Sequence, residues 1–335
     1  PRQLPVGKVI EIPRNLLKYT PARARLVSVR GAVQQSAGGD FINATQGQVL
    51  GEGNVVNTSA ASFATLLLDD GSRISIPSNS SVRISRLRSY MLGGAIDYDF
   101  DVVRGGARSK VSPLKSKDDR YRVRSPKAVS AVRGTDFAMR HDADTGRDFA
   151  EVDEGALAVG TGGKDIPLPA GNGLAVAASG SVIQETLLPA PELDNPGKLQ
   201  ANDEVRFAVK GNALGGGHRF QIAADAGFID QVADVQTADG KMSLTTLPNG
   251  NYFIRTREIA NSGIQGLAST YAFKRRLNGV KASAGQGADG YAFKWFGDAE
   301  GVRRYHFQLF RGQTDSTPMV DEAGLDTTSI SISDL

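Results

Sequence analysis

Four groups of residues carry side chains that can do chemistry. Glu151, Asp153 and Glu154 are clustered carboxylates, the type that moves protons in glycoside hydrolysis. Glu151 and Asp153 are two apart, so on a strand both leave one face. Asp153-Glu154-Gly155 also reads as a turn, and a solvated edge is the expected role. "HDADTGRD" (141–148) sets Asp142, Asp144 and Asp148 around Gly146, the alternation that calcium loops use. The downstream bidentate glutamate is missing, so a hairpin with Thr145-Gly146 at its tip is expected. His141, His218 and His306 are too scattered to form a metal set or a triad by spacing. Arg133 interrupts an apolar run, "SPKAVSAVRGTDFAM" (125–139). Its guanidinium can fork around a carboxylate or phosphate. Alternatively Gly134 permits a positive φ where a strand turns a corner, and Arg133 bonds backbone carbonyls or Asp136.

Residues 80–135 are basic. Arg83, Arg86, Arg88, Arg120, Arg122 and Arg124 are the core of that stretch, and only five acids accompany it. A nucleic-acid surface would need stacking aromatics, and Tyr90, Tyr98 and Tyr121 are sparse, so no nucleic-acid partner is expected. A binding face for an anionic ligand or an acidic protein is the functional reading of this stretch; plain solvated strand faces are the expected one. There is no Walker loop, dinucleotide fingerprint or Gly-x-Ser-x-Gly elbow. No cofactor, no metal and no enzymatic activity are expected.

The elements that must position these residues are strands. The chain has 335 residues and 39 glycines, a density that favours many tight turns between short strands. Ile74 and Ile76, then Val82, Ile84 and Leu87, alternate with polar residues at the period of a half-buried strand. Asp70-Gly71 ahead of them is a hairpin signal. A net charge of +3 excludes a chain that is a polyanion binder as a whole. Cysteine is absent, which removes thiol catalysis, thiolate zinc sites and disulfides, and suits an oxidising compartment. No 18-residue apolar run is present. Because the chain starts at Pro1, it reads as part of a longer precursor.

Residues 186–200, "TLLPAPELDNPGKLQ", carry three prolines and read as a linker. Beyond them the sequence partly repeats at about 87 residues: "VRFAVKG" with "YAFKWFG", "HRFQIA" with "YHFQLF", "MSLTTL" with "SISISDL". Tandem β-sandwich modules are expected, at 201–280 and 281–335. Trp295 and its counterpart Phe207 would be their core anchors. The second copy stops where its last strands should begin, so an unpaired sheet edge is expected there.

Residues 23–185 resemble the FecR domain family. The resemblance rests on "LLLDDGSRISIPSNSSVRI", "GGARSKV", "RYRVRSPKAVSAVRGTDFAM" and "AEVDEGALAVG". Its specific part is the Val-Arg-Gly-Thr core, with Arg133, Gly134, Thr135 and Asp136 as family-motif residues in a structural or docking role; Asp136 stands where the family often has glutamate. "LPVGKVIEIP" (4–13) resembles the last strand of a LysM module, so residues 1–22 are read as the end of one. The resemblances imply an all-β protein: a wound, short-strand FecR-like domain followed by tandem sandwich modules, fibronectin type III-like or related. They imply the periplasm or envelope of a Gram-negative bacterium, peptidoglycan as a partner through the LysM-like region, and an envelope or inner-membrane protein partner. The expected function is docking or sensing in signal relay. The alternative is a structural scaffold subunit that self-associates.

Overall fold

In strands such as Ala24–Arg30 and Arg73–Ile76, alternation of apolar and polar residues becomes alternation of buried and more exposed ones. A computed structural model describes residues 12–132, 134–194, 196, 199–211, 215–277, 280–287, 290–297, 303–312 and 317–333. Among these the protein is all-β; its one helical element is a 3-10 turn at Arg14–Leu16. The LysM-like stretch, except Ile12 and Pro13, lies outside the described residues, as does Arg133.

Two compact units divide the chain. The first comprises the described residues of Pro1–Lys198, Arg206–Ser243 and Asn251–Phe273. Its strands from Tyr19–Pro21 to Val182–Thr186 close into a barrel. Val82, Ile84 and Leu87 from one strand, Tyr98 and Phe100 from the next, and Phe137, Met139 and Val152 from the far wall meet in one core. Tyr121 packs against both Tyr98 and Phe100, with ring centroids 6.3 and 5.7 Å apart. Burial raises both phenols well above their ordinary pKa. The Asp70-Gly71 signal sits at the tip of the hairpin joining Phe63–Leu68 to Arg73–Ile76, with Gly71 at φ +86°.

Four further strands of this unit form a sheet in the order Gln265–Arg275, Gly250–Ile259, Gly217–Ala223, Gln231–Thr237. Phe207 is buried against Phe273, centroids 4.9 Å apart. The expected linker is tied down within this unit. Leu187 is buried with Phe149 and Ile264, the Leu267 amide donates to the Leu188 carbonyl at 2.9 Å, and Leu193 bridges to Val209. Nearly all of 206–273 therefore groups with the barrel rather than with the C-terminal residues.

The second unit comprises the described residues of Leu199–Val205, Leu244–Gly250 and Lys274–Leu335. Arg275, fully buried, donates to the carbonyls of Leu247, Gln200, Asn202 and Asp203 and so knits its three segments. Val280–Gly287, Gly290–Gly297 and Ser329–Ile332 form a three-stranded sheet, and Tyr305–Leu309 pairs with Val320–Leu325. Trp295 is buried and stacks on Phe307 at 5.7 Å. Among the described residues Val280–Gly287 pairs on one side only, and all of it is exposed.

Candidate functional site

The Val-Arg-Gly-Thr motif lies where the chain changes sheets. Val129–Val132 pairs with Arg120–Arg124 and Ala156–Thr161. Beyond the corner, Asp136–Asp142 pairs with Ile96–Lys110 and Arg147–Glu154 instead. Gly134 makes the corner at φ +64°, with Pro113 Cα 3.2 Å from where a Cβ would stand. An L side chain there would carry both left-handed strain and a tight contact. Thr135 is buried and fastens the corner, its hydroxyl donating to the Ala156 carbonyl at 3.2 Å. Asp136 points away from this corner and pairs with Arg108 at 2.8 Å.

The six arginines of the basic stretch flank an acidic strand segment. In Ile96–Lys110, Tyr98 and Phe100 face the core, so Asp97 and Asp99 face outward between two arginine-bearing strands. Arg86 donates to Asp97 at 3.0 Å; Arg122 reaches Asp97 at 3.2 Å and Asp99 at 3.0 Å. Arg124 grips Asp99 with two bonds of 2.7 Å, which raise the Arg124 pKa. Arg88 forks onto Glu52, pulling that carboxyl below its ordinary range, and stacks over the Tyr19 ring at 4.2 Å. Both aspartates are almost wholly buried, yet each is satisfied. Arg83 and Arg120 are exposed and have no carboxylate within ion-pair range among the described residues.

The acidic candidates are placed differently from expectation. Glu151 and Asp153 do share a face, but that face is not solvated. Glu151 is 1% exposed and accepts from Arg140 and from the Gln265 amide, the latter at 3.1 Å. Asp153 accepts two bonds from Arg257, one of 3.0 Å, and one from Arg108. Burial pushes the Asp153 pKa up, but the Arg257 bonds and the Arg108 charge outweigh this and hold it below the ordinary range. What covers these acids is the 206–273 sheet. Arg219, Gln221, Asp234, Arg255 and Arg257 share one face of that sheet, because they are direct cross-strand partners or two apart. Further ties hold the two faces together: Arg30 and Ser28 to Asp230, Arg147 to the Ser262 carbonyl, and Ile264 packed on Phe149.

The "HDADTGRD" loop is a hairpin turn. Asp142 accepts from the Asp144 amide and from the Thr145 amide and hydroxyl, and those bonds, the hydroxyl first, lower its pKa. Asp148 is buried against His141 at 2.6 Å and is not free to ligate. Among the described residues no His, Cys, Asp and Glu cluster can hold a metal ion.

Sequence reasoning missed Arg140, Arg219, Arg255 and Arg257. The one signal was "IRTRE", with two arginines at strand spacing, which marks a polar face without saying what meets it.

Residues 54–157 match the FecR protein family, so the chain carries a FecR domain there. None of the curated proteins matches the chain. Two crystal structures of anti-sigma-factor candidates from Parabacteroides distasonis align with it. One has a TM-score of 0.33 at 14% identity, covering 39% of this chain and 59% of that one; the other has 0.34 at 13%, covering 41% and 68%. The extracellular domain of a candidate one-component system from Bacteroides thetaiotaomicron gives 0.19 at 7% identity, over 78% of this chain and 59% of that one.

Proposed function

We propose that this protein is a non-enzymatic component of the bacterial envelope that docks or senses through its FecR domain and passes that state on in signal relay. The FecR match at 54–157 carries this reading. The arrangement of the domain supports it: Asp97 and Asp99 are engaged by Arg86, Arg122 and Arg124, and this outward ladder offers Arg83 and Arg120 at its margin for an acidic partner. The partner is an envelope or inner-membrane protein, and the LysM-like residues 1–22 place the chain near peptidoglycan. Among the described residues no helix is long and apolar enough to cross a membrane.

The test is transcription in the source bacterium. Deleting residues 54–157 from the chromosomal gene should change a defined set of transcripts, and restoring the gene should reverse the change. An unaltered transcript profile would sink the relay reading. The scaffold reading is favoured by one observation, the exposed one-sided strand Val280–Gly287, which can add a strand from another chain. Light scattering of the purified chain separates the two: relay expects a monomer, a scaffold expects self-association.

A further inference from the structure

Within the first unit, the two polar sheet faces do not close completely. Between them is a cavity of about 70 Å³, lined by seven cationic side chains and one carboxylate, Asp136. The carboxylates bonded to those cations number four: Asp136, Glu151, Asp153 and Asp234. Among the described residues Arg73, Lys110 and Arg255 are left without a carboxylate; Lys110 is exposed to solvent, Arg73 and Arg255 only partly so. Arg257 has Asp153 as its one carboxylate among the described residues and shares it with Arg108, which also holds Asp136. Arg255 has no carboxylate within ion-pair range among the described residues. Its guanidinium lies over the Phe228 ring at 3.7 Å, in the cavity wall. Burial first, then the charges of Arg108 and Arg257, push its pKa down to about 9, so it is still a cation at neutral pH.

We propose that this cavity is a binding site for a small oxyanion: a phosphate, or the terminal carboxylate of a small molecule. Like charges crowded in a partly buried site repel more strongly than in water, and a cation left there without a partner is costly. An anion relieves both. Guanidinium forks match the oxygens of carboxylate and phosphate, and Gln221, Gln231 and Gln265 line the same cavity with neutral groups that can hydrogen-bond a ligand. Size sets the class. One water needs about 10–15 Å³ of such space, so the cavity takes a group of a few heavy atoms and excludes a sugar ring or a nucleotide base. The site does not depend on whether the protein relays signals or builds a scaffold. Because it lies between the barrel and the 206–273 sheet, an anion there would bind both faces and tighten their packing.

The experiment is calorimetric titration and thermal unfolding of the intact chain with inorganic phosphate and with succinate, against chloride at matched ionic strength. Phosphate, succinate or both should bind at one site and raise the melting temperature where chloride does not; which of them does so identifies the oxyanion. Arg255→Gln should raise the melting temperature without anion and weaken anion binding by at least about tenfold, the order of one charge-assisted hydrogen bond. Arg255→Lys keeps the charge and should retain part of the affinity, which covers the case in which the glutamine variant does not fold. Lys164→Gln, the same charge change on an exposed strand, should leave binding as it is. The proposal is overturned if neither oxyanion stabilises the chain beyond chloride, or if binding survives unchanged in Arg255→Gln.

Discussion

The strand Ile96–Lys110 is acidic at its start, with Asp97, Asp99 and Asp101, and basic at its end, with Arg104, Arg108 and Lys110. Its two ends lie in different sheets of the barrel and meet opposite conditions. At the start, two buried aspartates are wedged between arginines that keep 20–38% of their side chains in water. The charges alternate across three strands and each carboxylate has more than one donor. At the end, arginine meets arginine: Arg108 and Arg257 compete for Asp153 while Arg255 stands over a phenyl ring. Residue type does not distinguish the two sites, since both are dense in arginine. What differs is the count of carboxylates and whether water can reach the surplus charge. The first arrangement is finished as it stands; the second has room for one more anion.

Removing a carboxylate should therefore hurt unequally. Asp153→Asn leaves Arg257, 3% exposed, without its carboxylate, while Arg108 keeps Asp136, and should cost about 3–5 kcal/mol in urea unfolding, the range for breaking a buried ion pair. Asp99→Asn leaves Arg122 its bond to Asp97 and strands only Arg124, which is 38% exposed and can turn to solvent, so about 2 kcal/mol is expected. Equal losses in the two variants would mean that solvent access does not separate the sites. Gly134→Ala strikes the corner by which the chain passes from one sheet to the other; left-handed strain should cost about 1–2 kcal/mol there, read as a lower melting temperature. Acid titration adds a signature. The Asp153 carboxyl is held below its ordinary range in the folded chain, so on acidification the unfolded chain takes up that proton first. Its contribution is fully present above about pH 4 and is lost as pH falls through the folded value. Stability of the Asp153→Asn variant should lack that part of the acid dependence. At the small end, Arg120→Gln should stay within about 0.5 kcal/mol of the parent chain, because its side chain is exposed and has no ion pair among the described residues.

Local features of this fold are written locally. Alternation foretold the strands, Asp70-Gly71 its hairpin, and Gly134 falls at a corner because glycine tolerates the φ that position needs. Phe207 and Trp295, counterparts in the partial repeat, are both buried. The candidate site was harder to see. Glu151 and Asp153 looked like a solvated edge because the sequence shows that they share a face but not what lies on it. Arg257, which covers Asp153, is 104 residues away. The same long-range packing pins Leu187 and Leu188, so a proline-rich stretch that reads as a loose linker is fastened along its first half.

The buried aromatics also divide the molecule optically. The single tryptophan, Trp295, belongs to the second unit, while Tyr98 and Tyr121 are locked in the barrel core of the first. Tryptophan emission reports the second unit alone. At about pH 11, above the ordinary phenol pKa of about 10, the two phenols, their ionisation suppressed by burial, should gain the ultraviolet absorbance of phenolate only when the barrel opens. One unlabelled sample observed at two wavelengths can therefore tell which unit unfolds first.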